Sequence, residues 1–172
     1  SWSYRYDEIA NAARAFAYRL RRESVGSGDK VLIWSENRPE WIAAFWGCVL
    51  NGTAVVPVDY RASSEVLRNT NQAVGARVVL VGDDVRPSSL EIPIWRLSEI
   101  DLRVGPSPLA SSKLCSDDIA ELVFTSGSTA APKGVVITHR NIAADLEPIQ
   151  REVIKYRFWL RPFFPLRFLS LL

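Results

Sequence analysis

A chain of 172 residues that is 48% hydrophobic is sized for one domain with its own core. Its 21 basic and 19 acidic residues leave a net charge of +2, which argues against nucleic-acid binding by the chain as a whole. Cys48 and Cys115 stand far apart and outside any CxxC or Cys/His cluster, so the expectation is reduced thiols in a cytosolic protein and no zinc site.

The first element expected is an amphipathic helix from Tyr6 to Glu23. Ile9, Ala12, Ala13, Phe16 and Leu20 recur at helical spacing, with Asp7 and Glu8 in the first turn and Arg21 and Arg22 in the last. Gly26 and Gly28 are the expected stop. Arg21-Arg22 reads as the end of a packed surface helix, with a binding patch as the lesser alternative. Lys30–Trp34 suits a buried strand. Pro39 then opens a helix that carries Trp41, Ala44, Phe45, Cys48 and Val49 on one face, and Asn51-Gly52 closes it. Thr53–Val58 is a second strand, Ser63 or Ser64 to about Gln72 a further helix, and Arg77–Val81 a third strand. Strands alternating with helices across short connections imply parallel crossovers and an α/β fold.

From Asp83 to Ser116 the pattern loosens into a Pro- and Ser-rich connector, with one short strand expected within 92–97. Asp117 and Asp118 lead into the next strand; a solvated turn is the reading preferred over metal ligation. Then comes the densest chemistry in the chain. Between the apolar runs Leu122–Phe124 and Val135–Ile137, residues Thr125 to Gly134 hold four hydroxyls, two glycines, one proline and one lysine. Small residues let backbone amides close on an anion, hydroxyls add donors, and Lys133 supplies a mobile point charge suited to phosphate. An ordinary hairpin turn is the competing reading of such a composition. The Walker A pattern is excluded, because Lys133 precedes Gly134 and Val135 follows it.

After a strand over Val135–Thr138, a helix is expected to begin at Thr138–Asn141 and run towards Lys155, with Pro148 a kink or break. His139 is the only histidine, which excludes a multi-histidine metal site. Its expected place is structural, at the strand–helix junction, with a contact to phosphate or substrate as the alternative. The tail from Arg151 to Leu172 interleaves five basic residues with aromatics. It is expected as a loop and strand, or as a peripheral membrane contact through Arg157–Phe168; nucleic acid is not an expected partner. No run reaches the roughly 18 apolar residues of a spanning helix. The chain has no methionine and stops inside the apolar run Phe168–Leu172, which reads as a fragment of a longer protein.

The run Thr-Ser-Gly-Ser-Thr-x-x-Pro-Lys-Gly at 125–134 resembles the phosphate-loop signature of the adenylate-forming enzymes: acyl-CoA synthetases, peptide-synthetase adenylation domains and luciferases. Tyr6–Ile9, Gly28–Val31, Asn37–Glu40 and Gly52–Asp59 resemble successive landmarks of that family's N-terminal domain, and the tail is most similar to long-chain acyl-CoA synthetases. Ala130 departs from the pattern, which has glycine there; at φ > 0 an alanine would cost about 1–2 kcal/mol.

The resemblance implies that residues 1–172 are the N-terminal part of an AMP-binding large domain. It would be a mostly parallel sheet with flanking helices, with 103–116 a loop inside it. Thr125, Ser126, Gly127, Ser128, Thr129, Lys133 and Gly134 would hold the phosphates of ATP, with Lys133 the catalytic cation and Thr125 touching Mg²⁺. The reaction implied is activation of a small carboxylate, a fatty acid first, as an acyl-adenylate and its transfer to coenzyme A. An amino-acid-activating domain and a non-catalytic nucleotide- or membrane-binding module stand as alternatives. The family's adenine-binding segment, ribose-binding aspartate, acidic magnesium ligand and C-terminal catalytic lysine have no matching position here, so the chain alone is expected to be inactive. The expected location is cytoplasmic, with the inner face of a membrane as the second possibility. Oligomeric state is left open.

Overall fold

The computed structural model describes residues 3–87, 90–108, 113–125 and 133–159, with backbone alone for Thr125, Lys133 and 157–159. The elements run α1 (Tyr6–Arg22), β1 (Lys30–Ser35), α2 (Pro39–Asn51), β2 (Ala54–Asp59), α3 (Ser64–Val74), β3 (Val78–Val81), β4 (Ile94–Arg96), a single 3₁₀ turn (Leu97–Glu99), β5 (Ile119–Thr125), β6 (Lys133–Thr138) and α4 (His139–Trp159). The strands form one sheet in the order β4-β3-β1-β2-β5-β6. All neighbours are parallel except the β5–β6 pair, which is antiparallel. This is the α/β, mostly parallel sheet with flanking helices that the alternation of elements implied.

Strand periodicity sorts the core into two layers. Val31, Ile33, Val55, Val78 and Leu80 join Phe16 and Leu20 of α1 and Ala44 and Cys48 of α2. Their strand neighbours Leu32, Trp34, Val56, Val79 and Val81 face the other way, onto Leu67 of α3. Helices α1 and α2 therefore cover one face and α3 the other. Gly47 lets α1 and α2 meet: a Cβ there would lie 2.8 Å from the carbonyl oxygen of Ala13 and 2.8 Å from the Phe16 ring. Cys48 is fully buried in this layer, and burial pushes its thiol far above the ordinary range.

Boundaries differ from expectation in two places. Helix α1 ends within one residue of the expected Glu23, but the turn that stops it is not at Gly26 or Gly28. It ends in a Schellman motif at Ser24, whose N–H donates to the Arg21 carbonyl (3.0 Å) while Val25 N–H donates to that of Leu20 (2.8 Å). Arg21 is held by the fold, its Nε donating to Asn51 Oδ1 at 3.0 Å. Helix α2 ends as expected, with Gly52 left-handed at φ 77°, and α3 extends two residues past Gln72 to Val74, with Gly75 as its cap.

The chain divides into two compact units at His139/Arg140. In the second, α4 continues through Pro148 and past Lys155 to Trp159. Neither the expected break nor the expected loop over Arg151–Trp159 occurs. The ion pair Glu147–Arg151 spans the proline at the i,i+4 spacing that supports a helix, and Glu152–Lys155 follows it at i,i+3. No described helix is long and apolar enough to cross a membrane.

Candidate functional site

Strand β5 enters the sheet beside β2 through the pair Val55↔Glu121. Ala120 is buried, and Leu122 and Phe124 pack on the α3-side core. Glu121 points to the opposite face, where burial raises its carboxyl above the ordinary value. Strand β6 returns antiparallel in the register Phe124↔Gly134 and Thr125↔Lys133. The signature run is thus a seven-residue loop, 126–132, whose two flanking residues are direct cross-strand partners, about 4.5–5.5 Å apart at Cα in such a ladder. It is longer than the two to five residues an ordinary hairpin turn requires. Because β5 is parallel to β2, the loop leaves from the carboxyl edge of the parallel sheet, the edge at which open α/β sheets bind ligands.

The candidate phosphate-binding residues divide as follows. Thr125 and Lys133 face each other as the last rungs of the hairpin, and Gly134 sits one rung below. Ser126, Gly127, Ser128, Thr129 and the variant position Ala130 lie outside the described residues. Gly134 has a packing reason to be glycine: a Cβ there would stand 3.3 Å from Cε1 and 3.4 Å from Cζ of Phe124.

Two further candidates are placed away from the loop. His139 follows the far end of β6, six residues from Lys133, roughly 17–20 Å at the strand rise. Its N–H donates to the Asp118 carbonyl at 3.0 Å, and its Nε2 is buried without a partner among the described residues. The junction role is the one it fills. Asp118 closes a turn, its Oδ2 accepting from Cys115 N–H at 2.8 Å, at the end of β5 opposite the loop. Among the described residues no three His, Cys, Asp or Glu side chains gather into a metal-binding group. The membrane candidate Arg157–Phe168 falls on residues whose side chains are not described, or that lie outside the described residues.

One feature of the carboxyl edge escaped sequence reasoning. Connections leave β1 and β3 in opposite directions, so the topological switch point lies between them. That crevice is filled by the protein itself. Arg38 donates to Glu40 Oε2 (2.9 Å), Glu36 Oε1 (3.1 Å) and Asp83 Oδ2 (2.8 Å). The Glu36 carboxylate lies so close over Gly82 that a Cβ there would sit 2.1 Å from its Oε2. Hydrogen bonding to Glu40 leads the effects that hold the Arg38 guanidinium above its ordinary pKa. Burial alone would raise the Glu36 carboxyl, but backbone amides of Glu36, Asp83 and Asp84, with the Arg38 charge, bring it below the usual value. The signal was present in Asn37-Arg38-Pro39-Glu40, which reads only as a helix start until Gly82 and Asp83 are brought beside it. At the end of β2, Arg61 similarly holds the exposed Asp59 carboxyl down to about 2.

Known proteins share this arrangement. The fatty acid AMP ligase from Legionella pneumophila superposes with a TM-score of 0.70 at 32% identity, over 85% of this chain and 27% of that one. A fatty acid–acyl-carrier-protein ligase, ScoC, from Streptomyces coeruleorubidus is 24% identical over 169 residues, 90% of this chain and 32% of that protein. A D-alanine–D-alanyl carrier protein ligase from Bacillus cereus is 29% identical over 140 residues, 78% of this chain and 27% of that protein. The chain thus spans between 27 and 32% of the length of these relatives, and their names range over different carboxylic acids. A family model described as AMP-binding enzyme matches residues 2–172. The chain belongs to the AMP-binding enzyme family, and its fold matches that of adenylate-forming ligases.

Proposed function

We propose that this polypeptide supplies the phosphate-binding half of an AMP-forming acid–thiol ligase. Residues 1–172 act as the N-terminal part of an AMP-binding domain, with 103–116 a loop inside it. The single observation that carries this reading is the hairpin itself. The seven residues 126–132 join two strands at the carboxyl edge of a parallel sheet, bracketed by Thr125 and Lys133 as cross-strand partners, and their Ser, Gly and Thr content supports a gathering of donors around an anion.

A carboxylate reacts poorly with a thiol because its carbonyl is a weak electrophile and oxide a poor leaving group. Attack of the carboxylate on the α-phosphate of ATP forms a mixed anhydride and releases pyrophosphate, and a thiol then displaces AMP from the acyl carbon. The chain's contribution is positional and electrostatic. Loop amides and the hydroxyls of Thr125, Ser126, Ser128 and Thr129 would hold the β- and γ-phosphates, and Lys133 would neutralise the charge that builds on the departing pyrophosphate. Hydroxyl donors with one lysine and no carboxylate suit a Mg²⁺ ion carried mainly by the phosphates. Thr125 would be its protein ligand, and the ion would supply charge neutralisation on the triphosphate. A fatty acid is the favoured carboxylate, in keeping with the ScoC and Legionella names. Those names, with the D-alanyl carrier ligase, also support a carrier-protein thiol beside coenzyme A as acceptor.

Equilibrium binding of ATP to the chain, by calorimetry or a fluorescent analogue, tests the reading. Lys133→Ala should weaken binding about 10- to 100-fold, as loss of a charge-assisted phosphate contact does. ATP binding unaltered by that substitution overturns it. ATP–pyrophosphate exchange with fatty acids should be absent from the chain alone, since adenine, ribose and metal groups of the family have no matching position in it.

A further inference from the structure

Phe124 occupies the rung of the hairpin just below the loop. On its own strand it is anchored inward, packed with Leu122 against the core layer of Leu32, Trp34, Val56 and Val79. Across the ladder it opposes Gly134, and the edge of its ring lies 3.3–3.4 Å from where a side chain at Gly134 would begin. A glycine in a strand interior has no side chain to hold its place, and an aromatic ring laid across it from the neighbouring strand restores that packing. Beyond this rung the ladder has one pair left, Thr125↔Lys133. Among the described residues strand β6 is also the outermost of the sheet, and it is half-exposed at Val135 (50%) and Val136 (51%). Phe124 is thus, among the described residues, the core-packed side chain on the rung next to Lys133.

We propose that Phe124 is the positioning residue of the phosphate loop: by clamping Gly134 to the core, its ring fixes the backbone from which Lys133 reaches the phosphates. This rests on the loop reading given above, in which Lys133 is the phosphate-binding cation. The ring touches no substrate; it acts through Lys133.

A double-mutant cycle on ATP affinity isolates that dependence, with each variant's Tm recorded and binding measured well below it. Phe124→Leu should weaken ATP binding about five- to tenfold, and Phe124→Tyr, which keeps the ring, should restore it to within about twofold. The Phe124→Leu/Lys133→Ala double variant should bind no more weakly than Lys133→Ala alone. A residue that merely stabilises the fold would lower Tm and leave the cycle additive, the two factors multiplying. If Phe124→Leu does not fold, Phe124→Met, which fills the volume without a flat ring, runs the same cycle. Lys133→Ala that weakens binding while Phe124→Leu leaves it unchanged, or multiplies with it, overturns the positioning role and leaves the loop reading intact. Lys133→Ala without effect overturns the loop reading, and the positioning role with it.

Discussion

Ser24 holds a left-handed backbone, φ 60°, at the end of α1. The Schellman pattern around it brings Val25 down onto Leu20, both within the same core cluster. The position asks for glycine, since a Cβ at positive φ crowds the following carbonyl at about 1–2 kcal/mol. Two real glycines follow within four residues, at 26 and 28, and composition alone favours them as the stop. What decides the matter is long-range: only Val25 can reach Leu20 and the core, and that sets which residue turns. Ser24→Gly should raise stability by about 0.5–1 kcal/mol without changing the fold, read as a higher urea midpoint at unchanged m-value. Glycine's greater freedom in the unfolded chain keeps the gain below the full strain. The loop residues themselves were legible for a different reason. Thr125–Gly134 concentrates residue types suited to an anion, and no packing partner has to be known to mark it as a candidate.

At the scale of elements, hydrophobic periodicity placed six strands and four helices within a few residues, because each buries a face whose spacing is written locally. What it could not show is any contact between chain ends of different strands. The Arg38 cluster is such a contact: Glu36, Arg38 and Glu40 meet Asp83 only once β1 and β3 lie side by side. Arg38, Glu36 and Glu40 keep 16–20% of their side-chain surface, so removing the cation leaves two mostly buried carboxylates facing each other. Arg38→Ala should cost about 2–3 kcal/mol at pH 7, somewhat less than a fully buried pair would. Glu36 and Asp83 both have folded-state values lowered from the ordinary 4.5 and 3.8. Their share of stability is therefore present above those ordinary values and is lost as pH falls through the lowered folded ones. The difference between parent and variant should accordingly shrink below about pH 4, measured as urea midpoints across a pH series. A constant difference down to pH 2 would show that Arg38 matters for its packing and not for its charge. Pro148 shows the opposite kind of misjudgement. A local rule gives a kink or break in α4, and the helix runs on through the proline, with the ion pair Glu147–Arg151 spanning it.

For the molecule as a whole, the sheet ends among the described residues at β6. Every other strand but the short β4 has a neighbour on both sides. Val135 and Val136 lie on opposite faces of β6, and each keeps about half its surface in water, at 50% and 51%. A parallel α/β sheet ordinarily has both faces covered, as β1 and β3 do here, whose valines and leucines are fully buried. An outer strand that exposes apolar side chains on both faces is a template for pairing with another strand. The isolated chain should therefore self-associate as its concentration rises. One lysine in the middle of the strand is the device natural edges use against this. Val136→Lys places that charge three rungs from the Thr125↔Lys133 end of the ladder and leaves Phe124 and Gly134 themselves unchanged. Light scattering coupled to size exclusion should show the mass of the parent climbing with concentration and that of Val136→Lys staying at one chain. The melting temperature should move little, since the side chain replaced is already half in water. Equal association of parent and variant would locate the sticky surface elsewhere, and the exposed Ile149 and Ile154 of α4, at 55% and 56%, would be the next residues to change.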